Sequence, residues 1–97
     1  MIGLTTRAQR QFRELREHDE DFERPEATRG LIAALEEASR KIERNSTAGL
    51  PAPCPYPHLA RPDRLWLKAG RYWIAYEPAT PVIVGVFYET ANIPDRL

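Results

Sequence analysis

The residues best equipped for chemistry lie in the last third of the chain. Gly70-Arg71-Tyr72-Trp73-Ile74-Ala75-Tyr76 is followed, across a proline-bounded turn, by Val82-Ile83-Val84-Gly85-Val86-Phe87-Tyr88. A polar tail from Glu89 through Pro94 and Arg96 to Leu97 ends the sequence. Arginine supplies a planar fork of donors for phosphate or carboxylate, and the Tyr88 phenol can give or accept a proton. Trp73, Tyr88 and the arginines also suit protein recognition, because Trp, Tyr and Arg dominate interface hot spots. Each has a structural alternative: Arg71 as a solvated strand residue, Trp66 and Trp73 as packing, Tyr88 as a lid on the core.

The remaining reactive side chains point nowhere specific. Cys54 is the lone cysteine and has no base at a recognisable spacing, so a thiol nucleophile is not indicated. His18 lies within the charged run Arg16-Glu17-His18-Asp19-Glu20-Asp21, a solvated surface pattern. His58 sits among prolines without a second histidine, a cysteine pair or an acidic cluster, so neither a metal site nor a cofactor is expected.

These residues need elements to position them. Residues 6 to about 23 read as a helix, with Thr6 and Gln9 at capping-box spacing and Ala8, Phe12, Leu15 and Phe22 on one face. Pro25 breaks that pattern and suits the first turn of a second helix. There Ala27, Leu31, Leu35, Ala38 and Ile42 fit a 3.6-residue period. Neither helix can bury its stripe by itself, which predicts an antiparallel hairpin laid on another layer. Residues 45–63 hold Pro51, Pro53, Pro55, Pro57 and Pro62 and read as a loop, with Leu50, Tyr56 and Leu59 packing it over the domain. Strands follow at Leu65 to Lys68, Arg71 to Glu77 and Val82 to Tyr88, joined by short turns into an antiparallel meander. Alternation puts Tyr72, Ile74 and Tyr76 on the core face and Arg71, Trp73, Ala75 and Glu77 on the outer one. Met1 to Leu4 would add a short edge strand. The expected fold is α+β: an N-terminal antiparallel helical hairpin packed on a three- to four-stranded antiparallel sheet, one domain over 1–97.

Composition narrows the function classes. Fourteen basic residues balance 14 acidic ones. A neutral chain has no global field drawing it to phosphate backbones, so no direct sequence-specific nucleic-acid binding is expected of the chain by itself. Hydrophobic content of 42% and charged content of 29% describe a globular domain rather than a disordered one. A single cysteine fits a reducing compartment, and no apolar run approaches a membrane span or a signal-peptide core. The expected location is the cytoplasm.

Two helices followed by an antiparallel sheet resemble the RelE/ParE toxin superfamily of bacterial type II toxin–antitoxin systems. Leu4-Thr5-Thr6-Arg7-Ala8 resembles the family's opening, a short strand handing over to a capped helix. Gly70-Arg71-Tyr72 with Ile74-Ala75-Tyr76 resembles its glycine-arginine-tyrosine strand. Val86-Phe87-Tyr88-Glu89 and Ile93-Pro94-Asp95-Arg96-Leu97 resemble a ParE-like terminus. The resemblance spans nearly the whole chain, and it implies a growth-inhibiting toxin held in check by a cognate antitoxin encoded beside it.

Two activities follow from such a resemblance. A RelE-like toxin cleaves mRNA on the ribosome and needs cations around a phosphate plus proton-transfer groups; Arg64, Lys68, Arg71, Tyr88 and Glu89 are the residues that would serve. A ParE-like toxin inhibits DNA gyrase and needs a protein-binding surface, for which Arg71, Trp73, Tyr88, Glu89 and Arg96 are the candidates. Where many relatives carry arginine or histidine, this chain has Trp73, Glu77, Tyr88, Thr90 and Asp95. A phenol that must lose its proton needs cations beside it, and Glu77 and Glu89 are the wrong sign. The departures favour the ParE-like branch. A family member that only binds its partner is the third reading.

Overall fold

The computed structural model describes residues 2–21, 25–53 and 56–88. The chain runs β1 (Gly3–Leu4), α1 (Thr6–Asp21), α2 (Pro25–Arg44), a 3₁₀ turn (Pro57–Leu59), β2 (Leu65–Ala69), β3 (Tyr72–Glu77) and β4 (Val82–Tyr88). It is an α+β domain of two helices and a four-stranded mixed sheet in the order β1-β4-β3-β2. Among the described residues, no helix is long and apolar enough to cross a membrane.

The sheet departs from the all-antiparallel expectation at one edge. β2, β3 and β4 form the antiparallel meander, but β1 runs parallel to β4, with Gly3 opposite Val82 and Leu4 opposite Ile83. The physical reason is the long crossover: both helices and two strands separate β1 from β4, so the chain returns to the same end of the sheet. The connection that would make α1 and α2 a hairpin, residues 22–24, lies outside the described residues, as does Phe22.

α1 is capped one residue earlier than its spacing predicts. Thr5, not Thr6, is the N-cap: its Oγ1 accepts from the Ala8 N–H at 3.2 Å. The Thr5 N–H bonds to the Ile83 carbonyl at 2.9 Å, which ties the cap to β4 and decides between two chemically equal threonines. Gln9 does not close a capping box; its Nε2 donates to the Leu4 carbonyl at 3.1 Å. Thr5→Ala is therefore expected to cost about 1 kcal/mol in chemical denaturation, and Thr6→Ala a few tenths. Equal costs would contradict this placement of the cap.

α2 ends where Asn45 folds back on its own backbone. Its Oδ1 accepts from the Thr47 N–H at 3.2 Å and from Thr47 Oγ1 at 2.9 Å, an Asx turn that competes with further helix. Lys41 and Arg44 in the last turn suit the negative end of the helix dipole.

The sheet is buried on both faces. On the helix side, Ala8, Leu31, Leu35, Ala38 and Ile42 meet Tyr72, Ile74, Tyr76, Ile83 and Val86, with Phe12 and Leu15 at the margin. This is the core face that alternation predicts. The opposite face holds a second cluster of Trp66, Trp73, Ala75 and Phe87, flanked by Val84 of β4 and packed against Tyr56 and Leu59. The proline-rich segment is thus a roof over this face. It contributes a 3₁₀ turn, and Leu50 exchanges both backbone hydrogen bonds with Trp66, at 2.7 and 2.8 Å. Leu50 docks through its backbone while its side chain stays 50% exposed, contrary to the apolar packing expected of it.

Two side chains complete the sheet's polar groups. Gln11 Oε1 accepts from the Val86 N–H at 3.0 Å, beyond the end of the short β1. An edge N–H that no strand reaches is thereby satisfied from α1. The Tyr76 hydroxyl accepts from the Gly49 N–H at 3.0 Å and donates to the Ser46 carbonyl at 2.8 Å, pinning the start of the roof to β3.

Candidate functional site

The residues singled out for chemistry are distributed over both faces of the sheet. On β2, Leu65, Leu67 and Ala69 belong to the helix-side core and Trp66 to the opposite cluster. Lys68 lies on the Trp66 side, with its Nζ over the Trp73 ring, while Arg64 precedes β2, in a bridge with Arg61, four residues or roughly 13 Å from Lys68. Tyr88 packs against the helix-side core instead, with its ring T-shaped on Tyr72 at 5.6 Å. Arg71 is exposed in the β2–β3 turn, beside Gly70, whose φ of 57° favours glycine. Glu89 and Arg96 lie outside the described residues. Arg64, Lys68 and Tyr88 therefore do not converge on one reacting atom; Arg71 and Tyr88 share the end of the sheet where β2 turns into β3.

Trp73 is not the exposed anchor that an outward-facing tryptophan suggests. It is 7% exposed, set among Trp66, Ala75 and Phe87. Of the two outcomes open to it, a covering loop or a partner, the roof supplies the first. Lys68 caps its ring, with Nζ 5.9 Å from the centroid, a cation–π contact at the sheet's edge.

Arg64 has the most unusual electrostatics among the described residues. Burial is the main force lowering its guanidinium below the ordinary arginine value, and Arg61 adds to it. Asp63 opposes that shift, Arg7 reinforces it and Glu77 opposes it. Its Nε is buried without an acceptor, as is Nε1 of Trp66 two residues on. These groups hold a positive centre at the start of β2, away from Arg71 and Tyr88.

Polar residues that the sequence reading passed over carry as much of the local order. Tyr76 appears there only as a core residue, yet its hydroxyl fastens the roof. Ser39 is 2% exposed with an unpartnered Oγ, and it lines a cleft of about 260 Å³ with Glu36, Arg40 and Glu43. Its one signal in the sequence is its place four residues after Leu35, on the flank of the α2 stripe. Among the described residues, no cluster of His, Cys, Asp and Glu is arranged to hold a metal ion.

Compared with known proteins, the chain matches no family model and no curated protein.

Proposed function

We propose that this protein is the toxin of a type II toxin–antitoxin pair, that its fold is of the RelE/ParE type, and that it acts in the ParE-like manner by inhibiting DNA gyrase in the cytoplasm. The observation that carries the reading is the element order: a short strand, two helices and an antiparallel meander bearing Gly70-Arg71-Tyr72. That order is what the resemblance of the Leu4–Ala8 and Gly70–Tyr76 segments implies. The choice of branch rests on the dispersal of Arg64, Lys68 and Tyr88 over two faces, since phosphodiester cleavage needs donors and proton-transfer groups around one atom. Binding to gyrase makes no such demand. Arg71 and Tyr88 at the turn end of the sheet, with Glu89 and Arg96 beyond the described residues, are the proposed contacts; Trp73, buried on the opposite face, is not among them.

The test is induced expression with and without the neighbouring small open reading frame, scoring DNA damage and message integrity in the same culture. Filamentation with intact message, relieved by co-expression, is the expected result. Rapid message loss would replace the ParE-like branch by the RelE-like one. Unimpaired growth with stable complex formation would leave only a binding partner, and unimpaired growth with no complex would end the toxin reading.

A further inference from the structure

The chain is neutral only in sum. Residues 5–13 carry Arg7, Arg10 and Arg13 and no carboxylate, while residues 17–28 carry six carboxylates against Arg24. That order runs against the dipole of α1, which favours carboxylates in the first turn, where none is present, and cations in the last. These arginines do not serve the stability of their own helix, so their placement needs another explanation.

Three elements bring cations to the same end of the sheet. The Thr5 N–H at the start of α1 bonds to the Ile83 carbonyl, Ile83 pairs with Tyr76, and Tyr76 pairs with Leu65 at the start of β2. The Tyr76 hydroxyl donates to the Ser46 carbonyl, two residues past the end of α2. The start of α1, the end of α2 and the start of β2 thus meet. Residues 5–13, 37–48, 61–64 and 77, which make up this end, hold eight cations and four carboxylates. Two of those carboxylates, Glu37 and Asp63, are already paired with Lys41 and Arg61. Adding the border on α1, Glu14, Arg16 and Glu17, leaves the excess positive. Arg10, Arg13 and Arg44 are exposed, and none of the three is engaged in an ion pair or hydrogen bond among the described residues. Asp19 lies nine residues beyond Arg10, roughly 13 Å along the axis, farther than the ~8 Å over which charges are felt at physiological ionic strength. A ligand at this end meets the cations, not the zero net charge of the chain.

The patch has charge but no anchor. The exposed large hydrophobics among the described residues are Ile32, roughly 18 Å before Arg44 along α2, and Leu50, docked on β2. A protein partner would need an aromatic or aliphatic centre from which water is excluded. A phosphate backbone needs only guanidinium forks and tolerates water. Among the described residues no exposed aromatic ring on α1 or at the end of α2 offers a platform for a base. We infer that this end of the helical layer holds the phosphate backbone of a nucleic acid, without sequence preference, through the exposed guanidinium groups of Arg10, Arg13 and Arg44. The inference stands apart from the toxin reading, since it requires neither gyrase nor an effect on growth.

The experiment titrates the full chain into fluorescein-labelled duplexes of DNA and of RNA, each in two unrelated sequences, at several salt concentrations. Saturable binding with a dissociation constant of about 10⁻⁴ M or below is expected at low salt, equal for the two sequences and weakening as salt rises. The duplex bound more tightly identifies the source of the backbone. Arg10→Gln combined with Arg44→Gln should weaken binding about fivefold or more and flatten the log–log salt slope by roughly 2, about 0.9 for each lost contact. Arg29→Gln removes a charge roughly 22 Å from Arg44, at the other end of α2, and should leave affinity and slope unchanged. Circular dichroism confirms that each variant is folded. Absence of saturable binding to either duplex would overturn the inference, as would an unchanged salt slope in the double variant. So would a loss in Arg29→Gln matching that in Arg10→Gln alone, a marked preference between the sequences, or equal binding of a polyglutamate peptide.

Discussion

Replacing Trp66 by alanine is expected to cost about 3–5 kcal/mol, among the largest losses a single substitution can cause here. Trp66 is fully buried, lies 5.7 Å from the Phe87 ring and holds Leu50 through two backbone bonds. The backbone bonds survive the substitution, but the surface on which the roof rests does not. A chain of this length has about 5–15 kcal/mol of stability in total, so the variant would be partly unfolded near its physiological temperature. Trp66→Phe is the informative control. Nε1 of Trp66 is buried without an acceptor, so losing it removes an unfavourable group while keeping most of the ring. The phenylalanine variant should therefore lose no more than about 1–2 kcal/mol. Chemical denaturation of the three proteins decides the matter; an alanine variant within 1 kcal/mol of the parent would mean that the roof holds without this ring.

The same tryptophan shows how far the sequence could be read. The dense apolar run Val82 to Tyr88 places β4 correctly, but a register irregularity opposite Ala75 and Tyr76 puts Ile83 and Val86 on the same face, which simple alternation would not give. Alternation over Arg71 to Glu77 places β3 to within one residue and chooses its helix-facing side. The other side reads identically whether it meets solvent, a partner or a loop, because alternation records direction and not cover. Five prolines mark residues 51–62 as irregular, and Tyr56 and Leu59 point to packing over the domain, as the structure shows, but no local pattern says that the face they cover is the one holding Trp73. β1 shows the opposite limit. Two residues carry no periodicity, and the parallel pairing is set by a crossover that no local pattern encodes. The candidate site fared similarly: Arg64, Lys68 and Tyr88 can be picked out by residue type, but the pairing of Tyr88 with Tyr72 puts it on the face opposite Lys68, and Arg64 lies at the other end of β2.

A second large effect is expected at Gly49, where the roof meets the hydroxyl that anchors it. A Cβ there would lie 2.6 Å from the Tyr76 hydroxyl, 2.9 Å from the same ring and 2.9 Å from Leu65 Cβ. Tyr76 is fully buried and its hydroxyl is held between the Gly49 N–H and the Ser46 carbonyl, so it cannot swing away. Gly49→Ala should cost about 2–3 kcal/mol through overpacking and loss of this bond pair. Tyr76→Phe removes the hydroxyl and leaves its two partners unsatisfied, for about 1–2 kcal/mol. The two changes should not add: without the oxygen the closest clash disappears, while the contacts with the ring and Leu65 remain, so the double variant should fall short of the sum by about 1 kcal/mol. The alkaline limb gives an independent reading. Burial raises the Tyr76 phenol above its ordinary value, outweighing the opposing hydrogen bond from Gly49. A raised folded-state value means that the neutral phenol's contribution is complete below the unfolded value of about 10 and is lost as pH rises through the folded one. Stability should therefore fall more steeply above about pH 10 in the parent than in Tyr76→Phe. Strict additivity in denaturation, together with parallel alkaline limbs, would show that the hydroxyl merely fills space and does not anchor the roof.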